Sequence, residues 1–216
     1  ALEHAAQNIR KFHMAQQVDE KAVEVEPGIR CWRENRAIDS VGLYIPGGNA
    51  VLPSTVLMLG IPAQIAGCKR IALCVPPQKD CTVTAEVLVA ARIVGIREVF
   101  KIGGAQAIAA LAAGTETVAG VDKILGPGNR WVQAAKLLAT LRGVAIEMVA
   151  GPSEVLIVAD GSAKSEWIAC DLVSQAEHGV DSRAILATTS KQLLEEVGQL
   201  VWRFIEDLPL RDLAEQ

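Results

Sequence analysis

Strand-like apolar runs that alternate with helical stretches predict an α/β fold, a Rossmann-like parallel sheet unit with part of a second, similar α/β unit. Three observations carry the prediction. Apolar runs of four to six residues recur along the chain, helix-period segments of ten or more residues separate most of them, and glycines with isolated polar residues follow several of the runs.

Residues 1–25 read as a polar amphipathic helix, with Ile9, Phe12, His13 and Gln16 at helical spacing, broken at Pro27-Gly28. Strands are then expected at VGLYI (41–45), RIALCV (70–75), EVFKI (98–102), DKIL (122–125), VAIEMV (144–149), EVLIVA (154–159) and RAILAT (183–188). Helices are expected at STVLMLGIPAQIAG, TVTAEVLVAARIVG, AQAIAALAAG, NRWVQAAKLLATL, KSEWIACDLVSQAEH and KQLLEEVGQLVWRFIEDL. One seam interrupts this rhythm. In VAIEMVAGPSEVLIVAD only Ala150-Gly151-Pro152-Ser153 separates two strand-like runs, too short a link for a right-handed crossover between parallel neighbours. The chain is therefore expected to change sheets there. This gives residues 1–43 as a helix and segment of a first α/β unit, 44–150 as a Rossmann-like unit, and 151–216 as a return to the first.

Composition excludes several classes. Half of the 216 residues are hydrophobic (50%), enough for a sizeable core. The net charge of −4, from 21 basic and 25 acidic residues without long single-sign blocks, argues against a nucleic-acid partner. Apolar runs such as AIAALAAG fall well short of the roughly 20 residues that span a bilayer, and no signal-like segment opens the chain, so a cytoplasmic protein is expected. The five cysteines, Cys31, Cys68, Cys74, Cys81 and Cys170, contain no C-x-x-C pair. They are expected to be mostly buried small hydrophobes, without a disulfide framework.

In parallel α/β sheets, ligands sit beyond the carboxyl ends of the strands. Here those ends carry Ile45-Pro46-Gly47-Gly48-Asn49, Gly103-Gly104-Ala105-Gln106 and Gly126-Pro127-Gly128-Asn129. Each loop is expected to open a helix and to aim free N–H groups at an anion such as a pyrophosphate. None is a true G-x-G-x-x-G: Trp131 replaces the third glycine of GPGNRW, and the ribose-binding carboxylate is missing. Together the three loops point to a nucleotide or dinucleotide.

The segment Ser174-Gln175-Ala176-Glu177-His178-Gly179 is the second candidate site. On a helix over 164–178, Asp171, Gln175 and His178 share one face. Gln175 and His178 could bind one object together, the imidazole as a common zinc ligand and the amide oxygen as a less usual one. Spacing alone equally describes a capping or solvated histidine.

Five stretches in order, YIPGGNAVLPSTVLM, GGAQAIAALAAGTETV, VDKILGPGN, AGPSEVLIVAD and DLVSQAEHGVDS, resemble the histidinol dehydrogenase family from about residue 28 to about residue 190. The resemblance implies oxidation of L-histidinol through the aldehyde to L-histidine, the last step of histidine biosynthesis, with two NAD⁺ reduced. It implies a homodimer with one zinc ion per site. Tyr44, Gln106 and Asn129 match the family's NAD-contacting positions. Ser153 matches a substrate-contacting position, and Gln175 and His178 match two zinc ligands that also meet substrate. Glu177 matches no ligand and is expected to be solvated.

The family runs to roughly twice this length. Its catalytic glutamate–histidine pair and its remaining zinc ligands, an aspartate and a histidine, match nothing before Gln216. No catalytic residue is assigned here, and the chain is expected to be an inactive internal fragment. Two alternatives are a non-catalytic nucleotide-binding module and a related NAD-dependent alcohol dehydrogenase with another substrate.

Overall fold

A computed structural model describes residues 1–17, 21–47, 51–149, 153–178, 182–206 and 208. The chain divides into two compact units, Ala1–Ala150 and Gly151–Gln216.

The first unit opens with α1 (Leu2–Met14) and an antiparallel hairpin of β1 (Val23–Glu26) and β2 (Ile29–Cys31). The chain then enters a sheet at β3 (Ser40–Tyr44) and continues through α2 (Pro53–Ala66), β4 (Arg70–Val75), α3 (Ala85–Val94) and β5 (Glu98–Lys101). It continues through α4 (Gly104–Ala113), β6 (Lys123–Leu125), α5 (Arg130–Thr140) and the short β7 (Ala145–Ile146). The sheet order is β5-β4-β3-β6-β7, with every pair parallel. The chain therefore walks outward from β3 to β5 and returns through α4 to the other side of β3. That reversal opens a crevice beyond the carboxyl ends of β3 and β6, the switch point at which such sheets bind ligands.

Side-chain alternation builds the two layers. Val41 and Leu43 of β3 and Leu73 and Val75 of β4 face α2 and α3, where Leu57, Ile61, Val87 and Val94 complete one core. Tyr44, Ala72, Cys74 and Ile124 face α4 and α5 and meet Ile108, Leu111 and Val132. At the amino ends of the strands, Arg70 forks onto the Glu98 carboxylate at 2.7–3.1 Å and donates to the Ala119 and Gly120 carbonyls. The Ser40 amide and hydroxyl both donate to Asp122, at 2.9 and 2.7 Å. The amino end is thus tied shut, and the carboxyl end carries the open loops.

The expected helix over 1–25 is corrected: α1 ends at Met14, and a hairpin follows. Its signal was readable, because Val23-Glu24-Val25-Glu26 alternates with period two before a Pro27-Gly28 turn in which Gly28 has φ +83°. Helix α1 packs on α2, with Ala6 buried and Leu2, Ala5 and Ile9 partly so, while Phe12 is 63% exposed. Cys74 is buried and Cys68 partly so, but Cys31, Cys81 and Cys170 are exposed, on the hairpin, a loop and the outside of a helix. The expectation of mostly buried thiols does not hold.

Of the stretch 144–149, only Ala145–Ile146 joins the sheet, through β6. The next strand belongs to another sheet, so the chain does change sheets at the seam, whose residues 150–152 lie outside the described ones.

The second unit comprises β8 (Glu154–Ala159), α6 (Ser165–Ala176), β9 (Arg183–Thr188) and α7 (Lys191–Glu206). Strands β8 and β9 pair in parallel from Glu154↔Arg183 to Ala159↔Thr188. Val155, Ile157 and Leu186 pack on Ile168, Leu172, Leu193 and Val197 of the helices. Among their other residues, Leu156, Val158 and Ile185 are 62%, 77% and 49% exposed. Among the described residues, no helix is long and apolar enough to cross a membrane.

Candidate functional site

At the switch point, Tyr44 ends β3 with its side chain 3% exposed, and its hydroxyl accepts the Gly104 N–H at 3.1 Å. One strand end is thereby bonded to the first residue of α4. Gln106 lies over the same turn, with its Oε1 2.8 Å from where a Gly104 Cβ would stand, and its side chain is exposed. A Cβ on Gly103 would overlap Pro76 after β4, so a glycine is needed where these two loops meet.

Asn129 is the N-cap of α5, its Oδ1 accepting from Trp131 N–H at 3.1 Å and Val132 N–H at 3.2 Å. This satisfies two orphan donors of the helix start. It leaves Nδ2 as the part of the side chain able to donate to a ligand. A cavity of about 380 Å³ opens among these loops, with Tyr44, Gly47, Val75, Gln78, Gly104 and Asn129 in its lining. Its size suits a small-molecule or cofactor site. Helix α4 begins at its edge, with no acidic residue in the first turn to oppose an anion. Gln106 is absent from the lining proper, and Gly48 and Asn49 of the first loop lie outside the described residues.

Sequence reasoning missed what holds the Gly126 turn. Lys136 of α5 is 0% exposed, and its Nζ donates to the Glu147 carboxylate at 2.6 Å and to the Gly126 carbonyl. The same Glu147 oxygen accepts the Gly126 N–H at 2.9 Å. Gln133, also buried, reaches the Gly128 carbonyl at 3.4 Å. A signal was available: Lys136 stands four residues after Val132 and three before Ala139, both buried, so a cation occupies the core face of its helix.

In the second unit, Ser153 and Gln175 are brought together, the Gln175 Nε2 donating to the Ser153 carbonyl at 3.0 Å. That carbonyl also accepts the Arg183 N–H at 3.2 Å. With its NH2 so used, Gln175 keeps Oε1 as a ligand atom. The expected helix over 164–178 stops at Ala176, so His178 stands in the turn beyond it, its N–H donating to the Gln175 carbonyl at 3.2 Å. Glu177 is the C-cap and is partly buried, where a solvated side chain was expected. Among the described residues, no group of three or more His, Cys, Asp or Glu is arranged to hold a metal. The chain's fit to zinc is therefore partial: an amide oxygen and an imidazole near one helix end offer at most two of the four ligands zinc takes.

A doubly wound parallel sheet with a largely apolar cavity at its switch point, edged by Gln78 and Asn129, defines the class, an α/β fold of the kind that takes ligands beyond its strand ends. A profile described as histidinol dehydrogenase matches residues 1–216. A histidinol dehydrogenase of Bacteroides fragilis is 55% identical over the whole chain, which covers 50% of that protein. The crystal structure of histidinol dehydrogenase from Elizabethkingia anophelis superposes with a TM-score of 0.95 at 50% identity, over 99% of this chain and 49% of that one. An NAD-dependent aldehyde dehydrogenase from Sinorhizobium meliloti, at 13% identity and TM-score 0.61 over 94% of this chain and 41% of that one, shares the fold. The chain belongs to the histidinol dehydrogenase family, an enzyme family of histidine biosynthesis, and spans about half the length of the relatives it matches.

Proposed function

We propose that this chain is the NAD-binding half of an enzyme that oxidises L-histidinol to L-histidine, and that it lacks turnover by itself. The observation that carries the reading is the cavity at the switch point, lined both by Tyr44 at the end of β3 and by Asn129 at the start of α5, after the adjacent strand β6. Tyr44 and Gly104 hold one edge of the dinucleotide site, Asn129 donates from the other, and Gln106, over Gly104 and outside the cavity lining, meets the cofactor from the rim. Ser153, Gln175 and His178 serve the substrate, and the last two supply part of the zinc shell. Bound NAD provides the hydride acceptor and zinc the Lewis acidity that eases loss of an alcohol proton. The chain's own residues bind and orient in this reading, and none of them is assigned the proton transfer. The whole enzyme is a cytoplasmic homodimer in this reading.

Calorimetric titration with NAD tests it. Saturable binding that Gln106→Ala weakens supports the assignment, and equal affinity in variant and parent overturns it. For the metal, competition with a chromogenic chelator should find weak zinc binding that His178→Ala weakens further; tight stoichiometric zinc indifferent to His178→Ala rules the ligand assignment out.

A further inference from the structure

We propose that Lys136 and Glu147 are positioning residues for the dinucleotide, acting through the Gly126 peptide groups; this rests on the NAD reading above. Glu147 takes the N–H of Gly126 and Lys136 takes its carbonyl, so both polar backbone atoms of one residue are held by one ion pair. Gly126 sits at φ +131°, a conformation that L side chains rarely adopt. Three residues later the turn delivers Asn129, whose Oδ1 is committed to the start of α5.

The energetics point the same way. A fully desolvated ammonium is costly, and a buried ion pair is often no more stabilising than well-packed apolar residues of the same volume. Val132 and Ala139, neighbours on the same face of α5, are apolar and buried. Plain packing would be met by a residue such as Met at 136. What an apolar side chain cannot do is direct a donor at the Gly126 carbonyl while holding the carboxylate that takes its N–H. The pair therefore fixes the orientation of a turn whose open side lines the cavity through Asn129. With it removed, Gly126 loses both partners and the Asn129 amide loses its fixed aim.

The test uses Lys136→Met and the double variant Lys136→Met/Glu147→Leu, which leaves no unpaired charge. Three quantities are measured: denaturant unfolding, amide hydrogen exchange of residues 126–132, and NAD affinity by calorimetry. The double variant should unfold at a lower denaturant midpoint, because the buried Gly126 peptide loses two partners, yet under conditions where it stays folded it should exchange the Gly126 amide at least about tenfold faster and bind NAD about tenfold more weakly, the scale of one lost hydrogen bond to a charged group. A purely structural role predicts lower stability with unchanged affinity of the folded protein, and that result overturns the proposal. So does unchanged exchange in the turn, or faster exchange with affinity within about twofold of the parent. A parent protein that binds no NAD defeats the dinucleotide reading itself, and this inference with it.

Discussion

The backbone carbonyl of Tyr44 packs directly onto Gly126, so closely that a Cβ at position 126 would overlap it. The two residues end adjacent parallel strands. Gly126→Ala is expected to cost about 3 kcal/mol, from strain at φ +131° together with the clash. Denaturant unfolding checks it; a loss below about 1 kcal/mol would mean the turn relaxes freely.

Asn129 commits one end of its amide, Oδ1, to the start of α5, and the proposed NAD site assigns the other end, Nδ2, to the cofactor. Asn129→Ala should lose the cap, about 1 kcal/mol, and weaken NAD binding. Asn129→Asp keeps an acceptor for the Trp131 and Val132 amides and should unfold like the parent. It should still bind NAD more weakly, having exchanged a donor for a charge. Equal affinity of Asn129→Asp and parent would show that Nδ2 makes no contact with the cofactor.

Tyr44→Phe removes the acceptor of the Gly104 N–H and is expected to cost about 1 kcal/mol of stability. Gln106→Ala, at an exposed position, should stay within about 0.5 kcal/mol of the parent. Thermal unfolding of the two variants side by side separates a side chain that holds a loop from one exposed on the helix surface.

Burial pushes the Cys74 thiol from 9.0 up to about 12, against a smaller opposing effect of Arg70. Because the folded state raises this value, its contribution to stability is fully present below about pH 9 and is lost as pH climbs through about 12. At neutral pH, Cys74 should carry on the order of a thousandfold less thiolate than a free cysteine. Thiol titration should find Cys31, Cys81 and Cys170 reactive in the native protein and Cys74 reactive only after denaturation. Rapid native labelling of Cys74 would contradict its burial on β4 against α4.

Leu156, Val158 and Ile185 leave apolar surface on the β8–β9 pair, and such surface drives association. The protein is expected to self-associate at micromolar concentration, and Val158→Glu should shift it toward monomer. Light scattering that finds a monodisperse monomer before the substitution would rule this out.

The sequence by itself determined the α/β class, the alternation of strands and helices from β3 onward, and the glycine loops beside which Tyr44, Gln106 and Asn129 stand. Hydrophobic period, strand length and glycine placement are local, and the chain writes them directly. It also carried the change of sheet after β7, because a four-residue link cannot contain a crossover. The β1–β2 hairpin was legible in the Val-Glu alternation and was outweighed by the helical spacing before it. Tertiary structure alone decided three things. The end of α6 at Ala176, with Glu177 as its C-cap, leaves His178 in a turn. The strand order puts Tyr44 and Gly126 side by side although 81 residues separate them in the chain. And Lys136 found Glu147 and the Gly126 peptide across the turn, a pairing no local pattern encodes, because a buried charge is tolerated only where the fold brings it a partner.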